Sequence, residues 1–273
     1  MKVAIADLYA QSGKTTLALN LGAALAESGA TVLVVDADPR GQLDGLDGLS
    51  DSGTVLDRRS IQMLRATSLQ GLQVVTGTGR WLTQASTPPS DLGTLQAWFP
   101  KFDWVLFDTS AQNRTAMEYS IGLSDYVLSP LPMEAEAFRH TPDFLRLLTT
   151  AQVAQPTLIF GGFVPYHRQP AIAAGEQATA RETLTVMSHE FPQVAWQSSI
   201  PFDPALLRPA SETGFTFAHS ANVHTAFAAL ATELADRLGV AAAAARPPVI
   251  PEPPPPVQHR RWWQRLVGRR HAV

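Results

Sequence analysis

Four consecutive residues, Gly13-Lys14-Thr15-Thr16, follow a short apolar run and open a segment of helical period. That combination suits a phosphate. The unpaired amides of a helix N-terminus point at the anion, the lysine neutralises β and γ oxygens, and the threonine hydroxyl is placed to ligate Mg2+. Three acids belong with it. Asp36 and Asp38 stand where the stretch VLVV ends, and Asp108 ends a second stretch, WVLF. One acid at the end of an apolar strand reads as a helix cap or turn. Three of them, in this order after Gly-Lys-Thr, read as a phosphate and metal constellation.

Groups so far apart in sequence need a scaffold that gathers them. Short apolar runs at Val3–Asp7, Thr31–Asp36, Leu72–Thr76, Trp104–Asp108, Tyr126–Leu131, Thr157–Val164 and Val194–Ile200 alternate with segments of helical period. This predicts βαβ units, hence an α/β fold with a mostly parallel sheet and helices on both faces, which the Gly-Lys-Thr loop marks as P-loop NTPase-type. Leu17, Leu21, Ala24 and Leu25 fall on one helical face, with Gly29 as the C-cap glycine. Further helices are predicted near 134–150, 171–189 and 222–239. In an open α/β sheet ligands bind beyond the carboxyl ends of the strands, so Asp36, Asp38 and Asp108 converge on the loop carrying Lys14.

The quoted elements resemble the ParA/MinD group of P-loop ATPases, which position plasmids, chromosomes and other cargo. VLVVDADPRGQL, FDWVLFDTSA, GGFVPYHR, SSIPFDPALLRPASETG and the final helix AFAALATELADRL extend the resemblance over about residues 1–240. The resemblance implies bound ATP and Mg2+. It implies that Ser12, Gly13, Lys14, Thr15 and Thr16 cradle the phosphates, and that Thr15, Asp36 and Asp108 serve the metal, partly through water. It gives Asp38, with Lys14, the catalytic part of orienting or activating water, and sets Pro201 near the adenine. It also implies an ATP-dependent homodimer and an activating partner protein.

The chain departs from the group's loop at Tyr9, Ala10 and Gln11. The group carries Lys-Gly-Gly there, and its first lysine reaches the partner's phosphates. Tyr9 cannot supply that charge. A cation acting in trans contributes on the order of 10³–10⁵ in rate, so turnover is expected to suffer more than affinity, unless an arginine such as Arg40 or Arg139 substitutes. Two function classes follow: a ParA/MinD-like ATPase with weak hydrolysis that partitions or positions DNA or other cargo, or a non-hydrolysing scaffold or regulator recruited by its tail.

The chain of 273 residues has net charge −3, no cysteine and no disulfide or thiolate metal site. Neither a secretory leader nor about 18 uninterrupted apolar residues can be found, so a cytoplasmic protein is expected, at a membrane or nucleoid surface when its tail is engaged. The charge is uneven. Residues 253–273 hold five arginines and no acid, leaving 16 basic against 24 acidic residues elsewhere. The expected organisation is a nucleotide-binding domain over 1–240, an Ala/Pro-rich linker over 241–257 and a basic tail over 258–273. On a helical wheel Trp262, Trp263, Leu266 and Val267 share one arc, and Arg261, Arg265 and Arg269 the other. Burying those four apolar side chains yields at most about 6–12 kcal/mol, and ordering about ten residues costs about as much. Each arginine near an anionic leaflet adds about 1 kcal/mol. Anionic membrane or DNA phosphates are therefore the surfaces the tail fits.

Overall fold

Every residue of the run Val32–Asp36 is buried, as a strand covered on both faces requires. It lies at the centre of the sheet seen in the computed structural model, which describes residues 1–41, 43, 45, 46, 49–57, 62–76, 95–168, 182, 185, 189, 194–207 and 215–244. In chain order the elements are β1 (Lys2–Ile5), α1 (Lys14–Glu27), β2 (Val32–Asp36), β3 (Ser50–Asp57), β4 (Gln62–Ala66), β5 (Leu72–Thr76), β6 (Trp104–Asp108), α2 (Arg114–Gly122), β7 (Tyr126–Pro132), α3 (Ala135–Ala154), β8 (Ile159–Tyr166) and α4 (Ala221–Ala244). The eight strands form one sheet in the order β3-β4-β5-β2-β6-β1-β7-β8. All neighbours are parallel except β3 with β4 and β4 with β5. The α/β expectation is met. Two compact units are distinguished, Met1–Glu233 and Leu234–Val273.

Alternation of side chains splits the strands between two layers. A Cβ on Gly22 of α1 would sit 3.1 Å from Val34 and 3.5 Å from Leu106, so α1 lies close against that face. Leu33, Val35, Val105 and Phe107, one residue out of phase, pack on the opposite face with Leu95 and Phe99. On that second face Ala4 and Ala6 of the β1 run meet Met117 and Ile121 of α2 and Phe144 and Leu147 of α3. Asn113 caps α2, its Oδ1 accepting from the Ala116 amide at 2.8 Å. Gly29 has φ 97° directly after α1, and the amide of Ala30 donates back to the Leu25 carbonyl, the helix stop expected of a glycine there.

One predicted strand does not form. Val194–Ile200 joins the sheet only through single bridges at Ala195 and Ile200. The amides of Gln197 and Ser198 donate instead to the Glu233 carboxylate, at 3.1 and 2.8 Å, so a side chain replaces the ladder partner. The hairpin β3–β4 and helix α2 were not anticipated. Of the helix expected over 171–189, only Glu182, Thr185 and His189 are described, all helical. Residues 245–257 and the 258–273 tail lie outside the described residues. No helix among the described residues is long and apolar enough to cross a membrane.

Candidate functional site

Register does what sequence spacing cannot. β2, β6 and β1 are adjacent and parallel, with Asp36 paired to Asp108 and Asp108 to Ile5. Neighbouring strands lie about 4.8 Å apart. Two acids therefore sit side by side at the carboxyl edge, one strand from the run that leads into the Lys14 loop. Both are fully buried. Asp36 accepts the amides of Asp38 and Leu43, each at 3.0 Å, which fixes the turn after β2. Asp108 accepts the Thr15 hydroxyl on Oδ2 at 2.7 Å, while its buried Oδ1 has no partner. Burial first, and the neighbouring Asp36 second, push the Asp108 carboxyl up to about 8 against the opposing Thr15 hydrogen bond.

The loop between β1 and α1 is built from its own polar groups. Gly13 takes φ 93° as the N-cap of α1, and the first turn of the helix contains no acid. The amides opening a helix have no intrahelical partner, so this end offers donors and an uncancelled positive pole. Lys14 is buried. Its Nζ donates to the Tyr9 carbonyl at 2.9 Å and to the Ser12 hydroxyl at 3.0 Å. Burial lowers its pKa, while Asp7, Asp108 and Asp38 act to raise it. The Tyr9 ring stacks on His140 of α3, centroids 5.5 Å apart.

Asp38 is buried and held from one side. The Asp38 carbonyl accepts the Gly41 amide at 2.9 Å, closing a tight turn with Pro39 in its second position. That turn lays Arg40 over the carboxylate. Nε lies 3.1 Å from both Asp38 oxygens and Nη2 lies 2.6 Å from Oδ2.

Pro201 follows Ile200, which bridges to Tyr166 at the end of β8. Tyr166 reaches the loop: its ring abuts Gly13, and its hydroxyl hydrogen-bonds Thr16. The structure thus gathers Ser12, Gly13, Lys14, Thr15, Thr16, Asp36, Asp38 and Asp108 at one edge, with Pro201 carried beside Tyr166. Sequence reasoning passed over Asp7, Ser129 and Tyr166. Asp7 is buried, accepts Tyr9 N at 2.5 Å and the Ser129 hydroxyl at 2.7 Å, and is raised in pKa by burial against the attraction of Lys14. A lone serine inside the apolar run YVLSPLP was the available signal.

These donors suit a hard cation. Thr15, Asp36 and Asp108 offer oxygen only, one oxygen lacks a partner, and Asp36 disfavours a second negative charge on Asp108, a cost that a bound cation would offset. Among the described residues no cluster of three or more acidic or histidine side chains forms a metal cage.

Gly13 gives a direct test of the cradle. A Cβ there would stand 2.6 Å from the Tyr166 ring, on a left-handed backbone that costs a non-glycine residue on the order of 1–3 kcal/mol. Gly13→Ala is expected to lower the melting midpoint by several degrees, about 2–4 °C per kcal/mol. Differential scanning calorimetry reads this; an unchanged midpoint would mean that the loop relaxes freely.

The sequence profile of the CobQ/CobB/MinD/ParA nucleotide-binding domain matches residues 3–213. The sporulation initiation inhibitor protein Soj of Bacillus subtilis (strain 168) is 27% identical over 171 residues, 57% of this chain and 66% of Soj; the match thus spans just under two thirds of that relative. Among solved structures, a single-substitution Asp-to-Ala variant of Cyanothece McdA in complex with ATP superposes with TM-score 0.66 at 19% identity, covering 87% of this chain and 96% of that one. Pyrococcus horikoshii MinD with Mg-ADP gives 0.65 at 21%, covering 88% and 97%. Cobyrinic acid a,c-diamide synthase of Mycobacterium smegmatis, with an ATP analogue and magnesium, gives 0.57 at 22%, covering 80% and 92%. At these identities the structural likeness is one of fold.

Proposed function

The chain belongs to the CobQ/CobB/MinD/ParA nucleotide-binding family, and from that premise we propose that it binds ATP with Mg2+ and positions DNA or other cargo through nucleotide-dependent dimerisation, with weak hydrolysis. The observation that carries the reading is the meeting of Thr15, Asp36 and Asp108 beside one buried, unpartnered carboxylate oxygen, with Lys14 in the electrostatic field of Asp108. Phosphates are to be received by the opening amides of α1 and by Lys14, with Ser12, Gly13 and Thr16 shaping the loop. Thr15, Asp36 and Asp108 are the residues to hold Mg2+, partly through water. When bound, the metal supplies charge neutralisation on the phosphate oxygens. Lys14 must exchange its bonds to Tyr9 and Ser12 for phosphate oxygens. Asp38 is the group to orient a water, and Pro201 flanks the base.

Slow turnover is inferred from Tyr9. Its ring is stacked on His140, and the position carries no charge where related loops carry lysine. This same observation favours a second reading, a scaffold or regulator that binds ATP without hydrolysing it. Either way the domain of residues 1–240 is joined by the 241–257 linker to the 258–273 tail, which is assigned to DNA or anionic lipid, and an activating partner protein is expected.

Steady-state phosphate release, measured alone and with DNA or anionic liposomes, separates the two. The ATPase reading expects a slow basal rate that rises severalfold with one surface. Release indistinguishable from a Lys14→Ala control under every condition, despite ATP binding, selects the scaffold.

A further inference from the structure

Lys14 and Arg40 both lie in the field of the acid cluster, and they are held very differently. Lys14 is buried and bound to two acceptors of its own loop. The Arg40 side chain is 50% exposed, while the carboxylate it covers, Asp38, is 3% exposed. Arg40 is attracted by Asp108 and Asp36 as well as by Asp38, and it repels Lys14. Its guanidinium therefore belongs to the site and faces solvent at its mouth. Other cations are committed elsewhere: Arg139 to Glu136 at 2.7 Å on α3, Arg168 to Glu134 at 3.6 Å, and Lys2 to Asp125 at 3.0 Å.

Resting on the nucleotide reading above, we propose that Arg40 is the residue that tells a triphosphate from a diphosphate, by moving from Asp38 onto the terminal phosphate. The physical case is one of charge and geometry. Two like charges held near each other are both relieved by a polyanion laid between them. Lys14, at the helix N-terminus, addresses the phosphates on the loop, whereas Arg40, on the turn after β2, stands at the far side of the Asp36–Asp108 pair. The longer phosphate chain, extended from the loop past that pair, is therefore the one set against Arg40. Arginine carries five donors in a planar fork, and Asp38 engages only Nε and Nη2. The fork can therefore begin a phosphate contact before it leaves the carboxylate. Its departure also frees Asp38 to accept a hydrogen bond from water.

Titration with fluorescent ATP and ADP in Mg2+ tests this on the full chain. Arg40→Ala is expected to weaken ATP binding on the order of 10–100-fold, the range of a lost charge-assisted hydrogen bond, with ADP changing by about threefold or less. Arg40→Lys is expected to keep most of the ATP preference. Arg40→Gln retains neutral donors for Asp38 without the charge; it is expected to behave like Arg40→Ala if the phosphate contact matters. A wild-type ATP/ADP ratio in Arg40→Gln, or equal losses for both nucleotides in Arg40→Ala, overturns the assignment and leaves Arg40 as a clamp on Asp38. Wild-type protein that binds neither nucleotide overturns the nucleotide reading itself, and this assignment with it.

Discussion

Lys14→Ala is expected to lower affinity for MgATP by about 100-fold or more while leaving the protein folded. The loss follows from the number of bonds at stake: one ammonium serving two phosphate oxygens forfeits two charge-assisted hydrogen bonds, about 1.5–3 kcal/mol each. The fold should tolerate the change because the lysine is a cost to it. Burial lowers the pKa of Lys14, meaning that the charged form is less comfortable here than in water. Removing it relieves that penalty, and the hydroxyl of Ser12 and carbonyl of Tyr9 lose a donor in exchange. Asp7, for which Lys14 is the largest opposing attraction, then shifts further toward its protonated form. Fluorescent ATP titration and calorimetry on the same samples give both quantities. Equal, negligible affinity in wild type and variant would sink the nucleotide assignment.

Much of this site could be read from the chain because its parts obey local rules. Each acid ends an apolar run, and Gly-Lys-Thr opens a segment of helical period, so strand, loop and helix were recoverable one by one. Pairing was not. Nothing in VLVVD or WVLFD says that Asp36 and Asp108 share a register, or that β6 separates β2 from β1. The β3–β4 hairpin escaped because SDSGTVLD and QMLRA lack the alternation that marks a half-buried strand. Val194–Ile200 reads as an apolar run, but the competition that decides its fate comes from Glu233, over thirty residues away. Tyr166 was invisible for a similar reason. Its role against Gly13 depends on β8 lying two strands from β1, a fact of topology that no window of sequence contains. Arg40 was nameable as a cation near Asp38, but its preference over Arg139 rests on where the two side chains lie.

Asp108→Asn is expected to make the protein more stable, and more so as pH rises. In the fold burial and the neighbouring Asp36 push the carboxyl up to about 8, against an ordinary value of 3.8. The fold therefore keeps a proton that the unfolded chain releases near pH 4. Between those values the unfolded state binds fewer protons, so this group's contribution is fully present below pH 4 and is lost as pH climbs through 8. At 1.36 kcal/mol per unit the loss is bounded near 6 kcal/mol, and the expected effect is about 2–3 kcal/mol, the upper part of the range usual for a single substitution. Asparagine keeps an acceptor for the Thr15 hydroxyl and places no charge beside Asp36. The variant should therefore melt about 5–10 °C above wild type at pH 8.5 and within about 2 °C of it at pH 4. Asp7 shifts in the same direction, so wild type alone would not isolate the group; the difference between variant and wild type does. A gain that is equal at both pH values would mean that Asp108 is not the residue titrating. The same substitution should abolish the thermal shift that MgATP gives wild type, because the repulsion between Asp36 and Asp108 that penalises the free protein is what a bound cation relieves. Stability gained and ligand response lost in one variant would tie the cost of the buried acid pair to its use.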